Sequence, residues 1–181
     1  MRLHAIVNDW ETARIAVAGG ASVVQLRLKG VSTPVRVGMG RRLRALPATL
    51  VINDDIDAAL GAGADGVHLG PDDGSAERAL AGGLLVGRSV STPGEARLAA
   101  AEGAAYLGVG PIYETTSKAD AGEPIGLEGL AEVCRAVALP VVAVGGITPD
   151  NALDCLRAGA RGLAVMRAAR HSALLLAAMA G

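Results

Sequence analysis

The chain has 181 residues, of which 51% are apolar, yet it contains no Phe, one Trp and two Tyr. That length is enough for one domain with a substantial core, which must be built from Val, Leu, Ile and Ala. Seventeen basic and eighteen acidic residues give a net charge of −1, with no long run of either sign. We therefore expect no nucleic-acid partner and no membrane surface as a partner.

Short apolar runs alternate with Ala-rich stretches along the whole chain. Runs of Val, Ile, Leu and Ala, each followed by a polar or Gly-rich turn, predict strands at 3–7, 22–27, 49–53, 65–69, 84–88, 105–109, 139–144 and 161–166. Helical spacing and capping residues predict helices at 10–19, 33–46, 55–63, 74–82, 92–103, 126–137, 149–158 and 167–179.

Strict alternation of strand and helix predicts a parallel sheet. Eight repeats favour closure of that sheet into a barrel over the alternative, a doubly wound open sheet. The predicted fold class is therefore α/β, a single (β/α)8 TIM barrel over residues 1–181. Because such barrels usually need about 200 residues or more, we expect a compact one with shortened helices. The longest irregular segment, 111–126, is predicted to be a functional loop such as a flap.

Two cysteines, Cys134 and Cys155, are too few for a disulfide framework. Both lie in predicted outer helices, which favours reduced thiols and a cytoplasmic location. The apolar run ALLLAAMAG at 173–181 is far shorter than the roughly 20 residues of a membrane span, so we expect a helix docked on the barrel. The sequence leaves open whether the protein forms a homo-oligomer.

Three polar side chains alternate at the end of the second predicted strand. Gln25, Arg27 and Lys29 are two residues apart, so all three point to one face, toward the barrel interior or its mouth. Two cations at such a place indicate a clamp for a phosphate or diphosphate. A structural ion pair is the alternative interpretation.

Acidic residues follow the next two predicted strands, with Asn53-Asp54-Asp55 after the third and Asp72-Asp73 after the fourth. In a barrel these segments are neighbours, so their carboxylates can converge on one cation. A small number of oxygen ligands favours Mg2+ that is shared with a substrate phosphate. Helix N-capping by either motif is the alternative.

Histidines occur in two of the predicted strands. His68 and His4 lie in apolar surroundings, where a buried, hydrogen-bonded imidazole is the favoured interpretation over a catalytic base. His171 is predicted to lie on the surface of the last helix.

Hydroxyl side chains and glycines follow the remaining strands. Ser89 comes after the fifth strand, and Thr115, Thr116, Ser117 and Lys118 cluster in the long loop, where they suit phosphate binding. Many barrels hold a phosphate on backbone N–H groups after the seventh and eighth strands. Gly145-Gly146 and Met166-Arg167 occupy those positions here, which predicts a second phosphate site.

Seven segments, in order and over nearly the whole chain, resemble the superfamily of thiamine phosphate synthases and thiazole tautomerases. They are QLRLK, INDD, GVHLGPDD, GRS, GVGPIYETTSK, PVVAVGGIT and GARGLAVM. The resemblance to the synthases implies a transferase that uses Mg2+ as cofactor. Its small phosphorylated substrates are hydroxymethylpyrimidine diphosphate and thiazole phosphate, and its products are thiamine phosphate and pyrophosphate.

The resemblance also implies a role for each matching residue. Carried over by position, the pyrimidine and diphosphate contacts are Gln25, Arg27, Lys29, Asn53, Ser89 and Lys118. The implied metal ligands are Asp54 and Asp73. Thr115 and Ser117 match the hydroxyl residues of the loop motif, and Gly146, Met166 and Arg167 match the thiazole-phosphate site. Four of these, Arg27, Lys29, Ser89 and Lys118, are expected to serve catalysis by stabilising the departing pyrophosphate.

The chain departs from the synthase pattern at Pro71, where Gln is usual, at Arg167, where Ser is usual, and in a shortened segment at 30–52. The segments LHAI, GRSV and ET resemble the sister branch, the thiazole tautomerases, which is the alternative function. That branch is expected to have His where this chain has Ser91 and to lack the Asn-Asp pair that this chain keeps. A noncatalytic barrel that binds thiamine intermediates is a third possibility, disfavoured because the charged site residues are retained.

Overall fold

A computed structural model describes residues 2–74, 76–117 and 122–180 of the chain. Its strands are β1 (Arg2–Val7), β2 (Val23–Leu26), β3 (Thr49–Asn53), β4 (Gly66–Leu69), β5 (Leu85–Val90), β6 (Tyr106–Val109), β7 (Val141–Val144) and β8 (Gly162–Val165). Its α-helices are α1 (Trp10–Ala18), α2 (Thr33–Leu43), α3 (Ile56–Ala62), α4 (Glu77–Ala81), α5 (Pro93–Ala101), α6 (Gly126–Ala136), α7 (Ala152–Arg157) and α8 (Ser172–Ala180).

The eight strands form one closed, parallel barrel in chain order, with β8 paired back to β1. This confirms the predicted (β/α)8 fold. The main core lies between the barrel and the helices, where alanines such as Ala13, Ala16, Ala58 and Ala59 are fully buried. Because alanine side chains let helices approach the strands closely, short helices suffice to cover the barrel. In the described part of the chain, no helix has the length and apolar character needed to cross a membrane.

The inside of the barrel is partly polar. His4, Gln25 and His68 are buried there, and the His4 and Tyr106 rings meet edge to face with centroids 5.3 Å apart. Two glycines make the necessary space: a Cβ added at Gly108 would lie 2.8 Å from His68 Cε1, and one at Gly87 would overlap the Tyr106 ring. The chain thus fills its barrel with two imidazoles and a phenol rather than with Phe.

The end of the chain differs from the prediction of one helix over 167–179. A turn at 166–168 leads into a 3-10 helix, Ala169–His171, and α8 begins only at Ser172. The amides of Ala169 and His171 donate to carbonyls three residues earlier, and the Ser172 hydroxyl donates to the Ala169 carbonyl at 2.7 Å. These bonds satisfy the backbone of the first turn in a 3-10 pattern, which delays the α-helix.

The segment after β6 begins as part of the barrel framework rather than as a flap. The Ile112 amide donates to the Val144 carbonyl at 3.0 Å, and the Tyr113 amide donates to the Gly145 carbonyl at 3.1 Å. Ile112 is buried. The first residues of the predicted loop are therefore held against the end of β7.

Candidate active site

Three charged side chains meet at the carboxyl ends of adjacent strands. Lys29 follows β2, Asp54 follows β3 and Asp73 follows β4, and these strands are neighbours in the barrel. The Lys29 ammonium forms an ion pair with the Asp54 carboxylate. The Asp54 and Asp73 carboxyl groups lie within hydrogen-bonding reach of each other. The convergence expected from the sequence is therefore present at the mouth of the barrel.

The two carboxyl groups disturb each other's ionisation. Burial, and then the neighbouring Asp54 carboxyl, raise the pKa of Asp73, although the Gly70 amide donates to its Oδ2 at 2.6 Å. Two carboxylates at this separation repel unless a cation lies between them. In the described residues no group of three or more His, Cys, Asp or Glu side chains is arranged to hold a metal ion. Two adjacent carboxyl groups, Asp54 and Asp73, suit a hard cation such as Mg2+ that keeps water or substrate oxygens as its other ligands.

Asp54 has an unusual backbone conformation. Its φ of 67° makes it the only non-glycine residue with positive φ in the ranges described. Its amide donates to the His68 carbonyl at 2.9 Å, which ties this turn to β4. Left-handed backbone at a residue other than Gly costs of order 1 kcal/mol and concentrates at functional sites.

Helix capping is the role of Asp55 rather than of Asp54. The Asp55 carboxylate accepts from the Ala58 amide at 2.8 Å and is the N-cap of α3. Asp73 does not cap a helix either, since the N-cap of α4 is Ala76. The capping alternative is therefore wrong for the two residues assigned to the metal.

Arg36, which belongs to none of the predicted site motifs, braces the turn that carries Asp54. Its Nη1 donates to Asp55 at 2.9 Å and its Nε donates to the Leu28 carbonyl at 3.1 Å, while the Thr33 hydroxyl donates to Asp55 at 2.8 Å. Burial alone would raise the pKa of Asp55, but hydrogen bonds from Ala58, Thr33 and Arg36 lower it. One guanidinium thus joins the chain beside Lys29 to the chain beside Asp54.

Arg88 braces the turn that carries Asp73 in the same way. Its Nη1 lies 3.2 Å from the carbonyl oxygens of Gly70 and Gly74, to which it donates, and its guanidinium forms an ion pair with Glu102 at 3.6 Å. The only signal of this role in the sequence is an arginine inside an otherwise uncharged strand.

Ser89 is held from inside the barrel. His68 Nε2 lies 3.0 Å from Ser89 Oγ, and His68 Nδ1 lies 3.0 Å from the Tyr106 hydroxyl. This confirms the buried, hydrogen-bonded imidazole that was predicted for His68. His171 is exposed, also as expected.

Ser91, at the position where the sister branch is expected to have His, has a structural partner. Its amide and hydroxyl donate to the Glu95 carboxylate at 2.6 Å and 3.0 Å. Thr92 and Glu95 complete a capping box at the start of α5. Ser91 therefore belongs to the cap of this helix.

Gly145 and Gly146 have positive φ values of 98° and 66°. A Cβ at Gly146 would lie 2.6 Å from Tyr113 Cβ and 2.7 Å from the Glu114 carbonyl oxygen. Glycine at 146 is thus required by its backbone conformation and by the packing of the segment after β6. Asn151 also holds this turn, because it accepts from the Thr148 amide at 2.9 Å and donates to the Gly146 carbonyl at 3.1 Å.

Met166 is partly buried and Arg167 is exposed in the turn before the 3-10 helix. The expectation that an α-helix begins at residue 167 is wrong, since α8 begins five residues later. The phosphate site between this turn and Gly146 stays a prediction. It now depends on backbone amides of the two turns, without the start of an α-helix.

The remaining predicted residues lie at the mouth or in the long loop. Arg27 and Asn53 are partly buried at the ends of β2 and β3. The Thr115 hydroxyl accepts from the Ser117 amide at 3.2 Å, which orders that part of the loop. Lys118 lies outside the described residues.

Comparison with known proteins identifies the family. The model of the thiamine monophosphate synthase family matches residues 4–169. A thiamine-phosphate synthase of Moorella thermoacetica is 45% identical over 175 residues, which cover 93% of this chain and 83% of that protein. One of Anaeromyxobacter dehalogenans is 48% identical over 162 residues, which cover 86% of this chain and 73% of that protein. The solved structure of a thiamine phosphate pyrophosphorylase from Pyrococcus furiosus has a TM-score of 0.90 and 37% identity, and the match covers 99% of this chain and 95% of that one. On the extent of these matches, the chain belongs to the thiamine monophosphate synthase family.

Proposed function

We propose that this protein is a transferase that joins hydroxymethylpyrimidine diphosphate to thiazole phosphate, giving thiamine phosphate and pyrophosphate. The observation that carries the proposal is the cluster of Lys29, Asp54 and Asp73 at the barrel mouth. Such a cluster suits a diphosphate leaving group held between a cationic side chain and a carboxylate-bound cation. The relatives named as thiamine-phosphate synthases support the same reaction.

In the proposed reaction the bond from the pyrimidine methylene carbon to the diphosphate oxygen breaks, and its electron pair leaves with pyrophosphate. The lone pair of the thiazole ring nitrogen forms the new bond to that carbon. The electron-rich aminopyrimidine tolerates positive charge at the methylene, so no strong acid or base is needed. When bound at Asp54 and Asp73, Mg2+ would neutralise charge on the leaving pyrophosphate.

The other site residues have proposed roles in binding and charge neutralisation. Lys29 is largely exposed, so its ammonium can exchange Asp54 for a diphosphate oxygen. Arg27 and Lys118 would add positive charge, and Ser89 a hydroxyl donor. Gln25 and Asn53 would contact the pyrimidine end, as the family resemblance implies.

The thiazole phosphate would bind on the opposite side of the mouth. We propose Gly146, Met166 and Arg167 for its phosphate, and the loop hydroxyls of Thr115 and Ser117 for the remainder. Backbone amides at these turns are suited to an anion without any metal.

Isomerisation of a thiazole carboxylate phosphate is the less well supported function. Ser91 stands where that branch is expected to have His, and its hydroxyl is engaged by Glu95 in the cap of α5. A noncatalytic binding role is disfavoured because Lys29, Asp54 and Asp73 are brought together as a charged cluster. We also propose that the protein acts in the cytoplasm, since Cys134 and Cys155 are both free thiols.

Pyrophosphate release tests the proposal. The purified chain is mixed with both substrates and Mg2+, and pyrophosphate and thiamine phosphate are measured together. We expect equal amounts of the two products, and none when the thiazole phosphate or the metal is left out. Rapid, metal-independent isomerisation of the thiazole carboxylate phosphate without pyrophosphate release would instead favour the tautomerase function.

A further inference from the structure

A line of polar side chains crosses the barrel interior and ends at Ser89. The line begins at the hydroxyl of Tyr106 on β6, near which Gln25 on β2 is buried. That hydroxyl lies 3.0 Å from His68 Nδ1, and His68 Nε2 lies 3.0 Å from Ser89 Oγ. Gln25 and His68 are buried, so these bonds are shielded from water. The line therefore runs from the interior of the barrel to a residue near the carboxyl end of β5.

The direction of the hydrogen bonds in this line depends on which His68 nitrogen carries the proton. Burial raises the pKa of Tyr106 far above its ordinary value, so the phenol keeps its proton. Gln25 acts in the opposite sense and lowers that pKa. The protonated phenol can donate to His68 Nδ1, which lies 3.0 Å away. A neutral imidazole that accepts at Nδ1 carries its own proton at Nε2.

We propose that Tyr106 and His68 are positioning residues that orient the hydroxyl of Ser89 toward a phosphate oxygen of the diphosphate substrate. His68 donates from Nε2 to Ser89 Oγ, so the Ser89 hydrogen is left to donate out of the barrel. The identity of the acceptor rests on the proposed function. The reverse direction would aim a lone pair of Ser89 at an anion, which is repulsive, whereas a hydroxyl donor to an anion makes a strong hydrogen bond. No proton is transferred in this role.

Two glycines on the neighbouring strands leave room for the rings of Tyr106 and His68. A side chain at Gly87 would overlap Tyr106, and a Cβ at Gly108 would press on His68 at 2.8 Å. Both rings thus occupy space that the neighbouring strands leave open for them. If the network were purely structural, its loss would lower the stability of the barrel. Its effect on kcat would then not depend on the presence of Ser89.

Nitrogen-15 NMR of the full chain, labelled at its three histidines, tests the direction without any substrate. Variants His68→Gln and His171→Gln assign the signals. We expect His68 Nδ1 to resonate as an unprotonated acceptor and Nε2 as a protonated nitrogen, and we expect Tyr106→Phe to remove that preference. A His68 that is protonated at Nδ1 at neutral pH, alone or as imidazolium, would overturn the proposal.

A double-mutant cycle tests the link to Ser89. Tyr106→Phe keeps the ring and removes the hydroxyl, so we expect kcat to fall about 10-fold while KM for the diphosphate changes less than about 3-fold. In the Ser89→Ala background the same change should have no further effect on kcat. An equal fall in both backgrounds would show a structural network only and would sink the proposal.

Two further variants guard against misfolding as an explanation. His68→Gln places an amide donor near the position of Nε2–H and should retain more of kcat than His68→Leu, which has no donor. Equal kcat values for these two variants in folded protein would contradict the proposed role. If the wild-type chain releases no pyrophosphate at all, the proposed function fails, and the NMR result alone then decides the direction of the network.

Discussion

Arg36 Nη1 lies 2.9 Å from Asp55 Oδ2, in a pair whose side chains are only 19% and 12% exposed. Through Arg36 Nε the same guanidinium holds the Leu28 carbonyl at 3.1 Å. The residues next in sequence, Asp54 and Lys29, form the ion pair at the barrel mouth. Arg36 therefore fixes the relative position of two chain segments that carry site residues, although it lies behind the site itself.

Replacing Arg36 should weaken metal binding as well as stability. Arg36→Ala leaves a partly buried Asp55 without its cation, so we expect a loss of about 1–3 kcal/mol in the free energy of unfolding. Because the turn at Asp54 is loosened, the Mg2+ concentration for half-maximal activity should rise about 5-fold or more. Denaturant unfolding and a Mg2+ titration measure the two effects. Arg41→Ala is the matched control on the same helix, since Arg41 is exposed and, among the residues described, bonds only the Gly61 carbonyl. Equal effects of the two variants would contradict this role.

Asp73→Asn should stabilise the metal-free protein while it removes activity. Burial and Asp54 raise the pKa of Asp73 in the folded protein. A raised carboxyl pKa contributes stability that is fully present below the unfolded-state pKa and is lost as pH rises through the folded-state pKa. The metal-free wild type should therefore lose stability as the pH rises from the unfolded-state pKa of Asp73 through its folded-state pKa. Asp73→Asn should show no such loss. Thermal unfolding from acid to neutral pH in a chelator checks this, with the exposed Asp72→Asn as control; a less stable Asp73→Asn at neutral pH would refute it.

Substitutions at Asp54 should separate backbone strain from metal binding. Asp54→Gly relieves the positive φ of 67°, whereas Asp54→Ala adopts it at a cost. We expect the Gly variant to be more stable than the Ala variant by about 1 kcal/mol, with both inactive because the carboxylate is gone. Chemical denaturation and pyrophosphate release measure these quantities. An active Asp54→Gly variant would exclude Asp54 as a metal ligand.

Asn151 offers a cleaner test of the second phosphate site than Gly146 does. Gly146→Val would strain a positive φ and strike Tyr113, so a loss of binding would have two causes. Asn151→Ala instead releases the Gly146 carbonyl and the Thr148 amide without adding bulk. We expect KM for the thiazole phosphate to rise about 3- to 10-fold, with KM for the diphosphate and Mg2+ dependence unchanged.

The conservative variant Asn151→Asp provides the comparison for that prediction. It keeps the acceptor for Thr148 and loses the donor to Gly146, so its KM for the thiazole phosphate should fall between those of wild type and Asn151→Ala. If KM for the diphosphate rose instead, the turn at Gly146 would belong to the binding site of the pyrimidine diphosphate.

The sequence by itself determined the architecture and the location of the site. Strand and helix periodicity are local properties, and eight repeats of Val-rich runs and Ala-rich helices were enough to predict a closed parallel barrel. Since the carboxyl ends of barrel strands share one face, the position of Asp54 and Asp73 after β3 and β4 predicted their convergence.

Only the tertiary structure decided how neighbouring residues of like type divide their roles. Asp54 and Asp55 are chemically identical, and the left-handed φ at Asp54 is what directs one carboxylate to the site and leaves the other to cap α3. In the same way, Arg36 and Tyr106 acquire their partners across distances of 19 and 38 residues in sequence. Such pairings depend on the closure of the barrel and on space left by Gly87 and Gly108, which no local pattern encodes.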